Sequence, residues 1–139
     1  MKKRLDVLLA ERGLAPGRDE PAQHGHALRV LDELRILTLE IQQMPKMNGL
    51  EFAHLEANPY RSVCTISTHD MAPLRLWWQQ SPEQRQRYYT TMLQKEGRAP
   101  EQLPAHLAEE MIARHLYCPS MFCMLSLQDW LAIDGASRL

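Results

Sequence analysis

Residues 62–71, Ser-Val-Cys-Thr-Ile-Ser-Thr-His-Asp-Met, decide the fold, because a β-branched apolar run leads there directly into a His-Asp pair. The run predicts a buried strand over residues 62–68, followed at its carboxyl end by His69 and Asp70. In α/β barrels the reactive side chains lie at the carboxyl ends of the strands. The stretch therefore predicts a strand end where chemistry can be placed.

Two further apolar runs, residues 36–41 and 121–127, predict buried parallel strands. Helical patterns alternate with the three strands, which is typical of β-α units and of a parallel sheet. Three such strands leave sheet edges and one sheet face uncovered, which favours aggregation. We therefore expect the later part of a larger α/β domain, and self-association of the chain by itself.

The sequence also contains residues that mark the starts and ends of helices. Ser81 followed by proline predicts a helix that runs to about Glu96 and stops at Gly97. A helix is predicted from Pro104 to about Leu116, with three side chains facing inward: Leu107, Met111 and Leu116. Shorter helices are predicted over residues 2–13 and 27–34, separated by a polar linker.

The bulk composition excludes several classes of protein. The chain has 139 residues, enough for one domain, and its net charge of -1 provides no basic surface for nucleic acid. No apolar run approaches the ~20 residues of a membrane span. Asp6 and Glu11 interrupt any signal-peptide core, so we expect a cytoplasmic protein. The three cysteines are expected to be free, buried thiols.

Several separate motifs carry a resemblance to a known family. They are, in chain order, residues 37–46 (LTLEIQQMPK), 62–71 (SVCTISTHDM), 74–78 (LRLWW), 115–121 (HLYCPSM) and 127–131 (LQDWL). Through them, residues 27–139 strongly resemble the 4-alpha-glucanotransferases (amylomaltases, disproportionating enzymes). The resemblance implies an incomplete (β/α)8 barrel made of roughly the last three strands with their helices, preceded by an N-terminal helix and linker over residues 1–26.

The resemblance also implies a chemistry. The family transfers α-1,4-glucan segments between maltodextrins by a retaining mechanism, using an aspartate nucleophile, a glutamate acid/base and a second aspartate that stabilises the transition state. By motif, Asp70 corresponds to this stabiliser and His69 to a histidine that contacts sugar hydroxyls. A further ionised carboxylate suits a transition state with oxocarbenium character. Maltodextrin is thus the expected partner, and no cofactor or metal is expected.

Two catalytic motifs of the family are not found in this sequence. The nucleophile's Arg-x-Asp-His-like run is absent, and the position expected for the acid/base glutamate holds Arg18. Glu11 lies in a run that is similar to that motif but out of register with it, and we do not assign Glu11 as the acid/base. We therefore expect a truncated glucanotransferase chain without transferase activity of its own. The alternative is a non-catalytic remnant that binds a glucan or a partner.

Residues 2–14 weakly resemble the opening of an S4-type RNA-binding domain. Lys2, Lys3, Arg4 and Arg12 would then contact RNA, which makes a small RNA-associated module a further alternative. A solvated helix face is the favoured interpretation of these charges.

Other side chains allow a structural interpretation beside a functional one. Asp70 alone is compatible with a helix N-cap, and Asp129 is interpreted as a cap of the last helix. Trp77 and Trp78 suit sugar stacking, but core packing is favoured, with at most one of the two facing inward.

Two further sets of residues remain open. Gln42 and Lys46 are equally compatible with an acceptor-sugar site and with a solvated loop. A zinc site is not favoured, because the spacing of its conceivable ligands matches no standard pattern. Those ligands are His24, His26, His115, Cys118 and Cys123.

Overall fold

The computed structural model describes residues 29–46 and 49–134. The chain divides into two compact units, residues 1–38 and 39–139. The boundary expected between residues 26 and 27 lies outside the described residues and stays a prediction. Among the helices that the structure describes, none is long and apolar enough to cross a membrane.

In the first unit, residues 29–33 are helical, in agreement with the predicted helix over 27–34. The helix ends because Arg35 adopts a left-handed conformation, with φ of 55°. The Arg35 amide donates to the Asp32 carbonyl at 3.0 Å and the Ile36 amide donates to the Leu31 carbonyl at 2.8 Å. This is the Schellman pattern of helix termination, with arginine at the position where glycine is usual.

Strands and helices alternate along the rest of the described chain, so the predicted α/β class is confirmed. The elements in chain order are β1 (Thr38–Ile41), a 3-10 helix (Leu55–Ala57), β2 (Ser62–Thr65), α1 (Leu74–Gln80), α2 (Pro82–Thr91), α3 (Ala105–Leu116), β3 (Phe122–Cys123) and α4 (Leu127–Leu131). The sheet order is β1-β2-β3. β2 and β3 are parallel, with Val63 opposite Phe122 and Cys64 opposite Cys123.

All three strands are shorter than predicted. The largest difference is at β3, which has two residues because Ser126 already serves as the N-cap of α4. The predictions that β1 and the run 121–127 are buried are both wrong: Leu39 on β1 is 48% exposed, and Phe122 on β3 is 50% exposed. β1 is an outer strand of the sheet, and its apolar residues therefore lack a neighbouring strand on one side.

Helix α2 begins as predicted and ends early. Ser81 accepts a hydrogen bond from the Gln84 amide at 3.2 Å, and Pro82 occupies the first helical position. The helix ends at Thr91 rather than at Glu96, because Gln94 takes the left-handed conformation that the sequence assigns to Gly97. The end is closed by hydrogen bonds from the Leu93 amide to the Tyr88 carbonyl and from the Lys95 amide to the Tyr89 carbonyl.

Helix α3 has the predicted span, with one side chain on the wrong face. Leu107 and Met111 are buried as predicted, but Leu116 is half-exposed. His115 is buried instead, because positions 107, 111 and 115 follow one another at four-residue spacing on the same helix face.

An aromatic cluster forms the centre of the core. Phe52 and Trp77 each pack edge-on against Tyr88, with ring centroids 5.0 Å and 5.1 Å from its ring. Trp78 completes the cluster, 6.5 Å from Tyr88. The cluster joins α1 and α2 to the segment between β1 and β2, so that this long segment is packed rather than free.

Candidate functional site

The His-Asp pair lies in a tight turn just beyond β2. The Met71 amide donates to the Thr68 carbonyl at 3.0 Å, and the Asp70 amide donates to the Thr68 hydroxyl at 3.4 Å. β2 delivers the chain to this turn, and α1 begins three residues after it. The structure thus places His69 and Asp70 beyond the carboxyl end of a strand, where the sequence predicts them.

Both side chains of the pair point into solvent. His69 is 90% exposed and Asp70 is 80% exposed, and the His69 Nε2 atom lies 3.2 Å from the Asp70 carboxylate. An exposed ion pair of this kind contributes little to folding stability. The imidazole and the carboxylate are therefore available to donate and accept hydrogen bonds with a ligand.

Asp70 does not cap the helix that follows it. The N-cap residue of α1 is Pro73, which provides no side-chain hydrogen bond. The first amide of the helix, that of Leu74, donates instead to the Asp129 carboxylate at 2.9 Å. The helix-cap interpretation of Asp70 is therefore wrong, and the fold makes no capping use of this carboxylate.

Asp129 is a fully buried carboxylate with three donors. Its Oδ2 atom accepts from the Ser67 and Ser126 hydroxyls, each at 2.8 Å, and its Oδ1 atom accepts from the Leu74 amide. The Asp129 amide in turn donates to the Ser126 hydroxyl at 3.0 Å. Ser126 is the N-cap of α4, and its hydroxyl accepts from the Asp129 amide while it donates to the Asp129 carboxylate. The expectation that Asp129 caps the last helix is therefore wrong: Ser126 caps α4, and the Asp129 carboxylate caps α1 through the Leu74 amide.

Trp77 and Trp78 are both core residues. Trp78 is fully buried and its indole N–H donates to the Pro100 carbonyl at 2.9 Å, while Trp77 is 7% exposed. The core-packing interpretation is confirmed. The expectation that at most one of them faces inward is wrong, because α1 is covered over a face wide enough for both.

Gln42 and Lys46 have partners within the protein. The Gln42 side chain is buried and its oxygen accepts from the Tyr88 hydroxyl at 2.6 Å. Lys46 forms an ion pair with Glu40 at 2.5 Å. Gln42 is therefore a structural residue here, since its side-chain oxygen is already used inside the core.

The three thiols are free, as expected, and lie near one another, but Cys118 and Cys123 are only partly buried. Cys64 is buried, and its sulfur is 3.9 Å from that of Cys123 on the neighbouring strand. Burial, and then the neighbouring Cys118 and Cys123 thiols, raise the pKa of Cys64 strongly, and burial also raises the pKa of Cys123. In the ranges that the structure describes, no group of three potential ligands is arranged to hold a metal ion.

His115 belongs to the core and is not part of the strand tip, by which we mean residues 67–71 beyond β2. Its Nδ1 atom lies 2.7 Å from the Met111 carbonyl, to which it donates, and its Nε2 atom is buried without a partner among the described residues. Burial lowers the pKa of His115, an effect that the hydrogen bond and the Asp129 charge oppose. The ring is therefore held in its neutral form.

A separate cavity of about 290 Å³ opens near the carboxyl ends of α2 and α3. Its walls include Gln42, His54, Met92, Arg114 and Tyr117. No residue of the stretch 67–71 lines it, so it is distinct from the strand tip.

Several sequence predictions fall outside the described residues: the possible acid/base residues Glu11 and Arg18, the S4-like residues 2–14, and His24 and His26. Two serines that donate to Asp129, Ser67 and Ser126, were not predicted from the sequence. The spacing of Ser126 and Asp129 is a capping-box signal from which the role of Ser126 could have been found. The contact from Ser67 to Asp129 spans 62 positions, and no local signal predicts it.

Comparison of the sequence with known proteins shows the family to which the chain belongs. The family model of the 4-alpha-glucanotransferases (glycoside hydrolase family 77) matches residues 25–139. The chain belongs to this family. The protein named 4-alpha-glucanotransferase DPE2 from Oryza sativa subsp. japonica is 34% identical over 132 residues.

That match covers 94% of this chain and 14% of the rice enzyme. The chain thus spans about one seventh of the length of this curated relative. The two regions that carry the most specific motifs, the β2 tip and the segment 127–131, both lie inside the family match.

Proposed function

We propose that His69 and Asp70 form part of the donor-side glucan site of a retaining 4-alpha-glucanotransferase, with maltodextrin as substrate. Asp70 is the carboxylate that stabilises positive charge in the transition state, and His69 donates a hydrogen bond to a sugar hydroxyl. The observation that carries the proposal is the freedom of the Asp70 carboxylate, which is 80% exposed while Asp129 caps the helix behind it.

The geometry of the tip suits this chemistry. An oxocarbenium-like transition state gains from an ionised carboxylate and from hydrogen bonds to ring hydroxyls that strengthen as it forms. Asp70 and His69 present one acceptor and one donor within 3.2 Å of each other, on a turn attached to a buried strand. Neighbouring hydroxyls of one sugar ring can be contacted by such a pair.

We further propose that β1, β2 and β3 are the last three strands of a (β/α)8 barrel. Two observations support this: β2 and β3 are parallel, and the chain alternates strands with helices. In such a barrel the site lies at the carboxyl ends of the strands, which is where His69 and Asp70 are found. A cytoplasmic location agrees with maltodextrin as substrate and with three free thiols.

Catalysis by a retaining enzyme needs two carboxyl groups about 5–5.5 Å apart, one as nucleophile and one as acid/base. Asp70 serves neither role in this proposal. Glucan recognition at the tip is therefore the property that this chain contributes, and turnover depends on groups that its sequence motifs do not supply.

Titration of the isotope-labelled chain with maltotriose, followed by NMR, tests the proposal. We expect the largest shifts at the His69 ring and at the amides of residues 68–71, and their loss in Asp70→Asn. Glu109→Gln removes an exposed carboxylate on α3 and should leave the shifts unchanged. The β-1,4-linked cellotriose is the ligand control. Equal shifts with cellotriose, or no shifts at the tip with maltotriose, would contradict the proposal.

A further inference from the structure

Asp129 binds both ends of the segment that carries the His-Asp pair. Ser67, which precedes the segment, donates to its Oδ2 atom, and Leu74, which follows it, donates to its Oδ1 atom. The segment between them, residues 68–73, contains His69 and Asp70. One carboxylate on α4 therefore fixes where the chain leaves β2 and where it enters α1.

The strength of this attachment follows from its burial. Asp129 has no exposed surface, and Ser67 is 9% exposed. Hydrogen bonds to an ionised carboxylate are shorter and about twice as strong as neutral ones, and they are not weakened by competing water when they are buried. A second hydroxyl, that of Ser126, holds the Asp129 carboxylate from its own helix at 2.8 Å.

The exposed His69 and Asp70 side chains depend on the attachment through Asp129 for their position. His69 and Asp70 make no contact with the core that would fix their position, since their side chains are 90% and 80% exposed. Electrostatic stabilisation of a transition state is effective only when the charged group is held in place before the reaction begins. The distance between Ser67 and Leu74 determines the path that the turn can take, and with it the direction of the Asp70 carboxylate.

We propose that Asp129 is a positioning residue for the glucan site, acting through Ser67 and Leu74 on the turn that carries His69 and Asp70. The inference rests on the proposed function for its ligand, while the attachment itself is a property of the fold. Asp129 touches no substrate. Its role is to hold the tip in one conformation, which keeps the pair ordered before a sugar binds.

Two serine variants separate positioning from helix capping. Ser67→Ala removes the bond to the strand end and leaves the other two donors to Asp129 in place. Ser126→Ala removes the matched bond on the side of α4, with the same loss of one hydroxyl from the same carboxylate oxygen. Ser67→Thr retains the hydroxyl and serves as rescue. Asp129→Ala is unsuitable, because it leaves three donors without an acceptor, two of them buried, and threatens the fold.

The readouts are backbone amide relaxation of residues 68–71 and affinity for maltotriose, both by NMR. We expect Ser67→Ala to make these amides mobile and to weaken maltotriose binding by about fivefold or more. Ser126→Ala should lower thermal stability about as much as Ser67→Ala does, but it should change neither amide mobility nor maltotriose affinity. Ser67→Thr should restore both readouts.

The positioning role and the proposed function would be contradicted by different results. Equal mobility of residues 68–71 in Ser67→Ala and in Ser126→Ala would overturn the positioning role and leave Asp129 as a helix cap. Absence of maltotriose binding in the unaltered chain would overturn the proposed function, while the relaxation comparison still decides whether Asp129 orders the turn.

Discussion

The Tyr88 hydroxyl donates a 2.6 Å hydrogen bond to the side-chain oxygen of Gln42, inside the core and 46 positions away in the sequence. Burial raises the pKa of Tyr88 far above its usual value, so the hydroxyl keeps its proton. This bond joins α2 to the segment that follows β1. It also engages the Gln42 side-chain oxygen, so that this oxygen is not available to a sugar.

We expect Tyr88→Phe to lower the free energy of unfolding by about 1–3 kcal/mol, because the buried Gln42 oxygen loses its donor. Urea denaturation measures this change. Tyr89→Phe is the matched control, since the Tyr89 hydroxyl makes no hydrogen bond to the described residues, and it should be nearly neutral. A neutral Tyr88→Phe would show that the bond contributes nothing to stability.

Acidification should destabilise the protein through His115. Burial lowers the pKa of this histidine in the folded state, whereas an unfolded histidine titrates near 6.5. The unfolded chain therefore binds the proton first, and the contribution of neutral His115 is complete above about pH 6.5 and is lost as the pH falls to the folded pKa. Asp129 and the Met111 carbonyl reduce this effect and do not reverse it.

Unfolding midpoints in urea, measured from about pH 7.5 down to about pH 5, test the prediction. In His115→Asn, which can still donate to the Met111 carbonyl, the loss of stability over this range should be smaller. His106→Asn, at an exposed position on the same helix, should retain the full loss. An identical pH profile in His115→Asn would assign the effect to other groups.

Much of the secondary structure could be predicted from local signals. Ser81 with Pro82 marks the start of α2 because an N-cap hydroxyl and a preset φ act locally. The end of α2 could not be predicted, because burial of Met92 and Leu93 turns the chain at Gln94 before Gly97 is reached.

The candidate site, like the secondary structure, could be predicted only where local signals determine it. His69 and Asp70 could be predicted because a strand pattern and a motif place them. The link from Ser67 to Asp129 could not, because it depends on how α4 packs against the end of β2, and no spacing within one element encodes that.

The different exposure of the tryptophans predicts how their fluorescence is quenched. Trp77 and Trp78 are buried, whereas Trp130 is 43% exposed. We expect acrylamide to quench mainly Trp130, and maltotriose to leave the emission of a Trp130→Phe chain unchanged. Adding Trp77→Phe to the Trp130→Phe chain leaves Trp78 as the single tryptophan and identifies its signal. A maltotriose-dependent shift in Trp130→Phe would indicate a sugar contact at α1.

The outer strand β3 predicts self-association. Phe122 and Met124 are 50% and 62% exposed, and Leu127 is exposed beside them. Apolar side chains along a sheet edge favour pairing with another chain. Sedimentation should therefore detect species larger than a monomer, and Phe122→Lys with Met124→Lys should reduce them. Leu76→Lys, an exposed apolar position on α1, is the control. A purely monomeric chain would contradict this prediction.

In the proposed function, Asp70 supplies the stabilising carboxylate of a 4-alpha-glucanotransferase, and this chain supplies neither the nucleophile nor the acid/base. The most direct test is incubation of the purified chain with maltotriose, followed by chromatography of the products. We expect neither glucose nor longer maltodextrins from the unaltered chain. Glucose and longer maltodextrins formed at an enzyme-like rate, and abolished by Asp70→Asn, would contradict it.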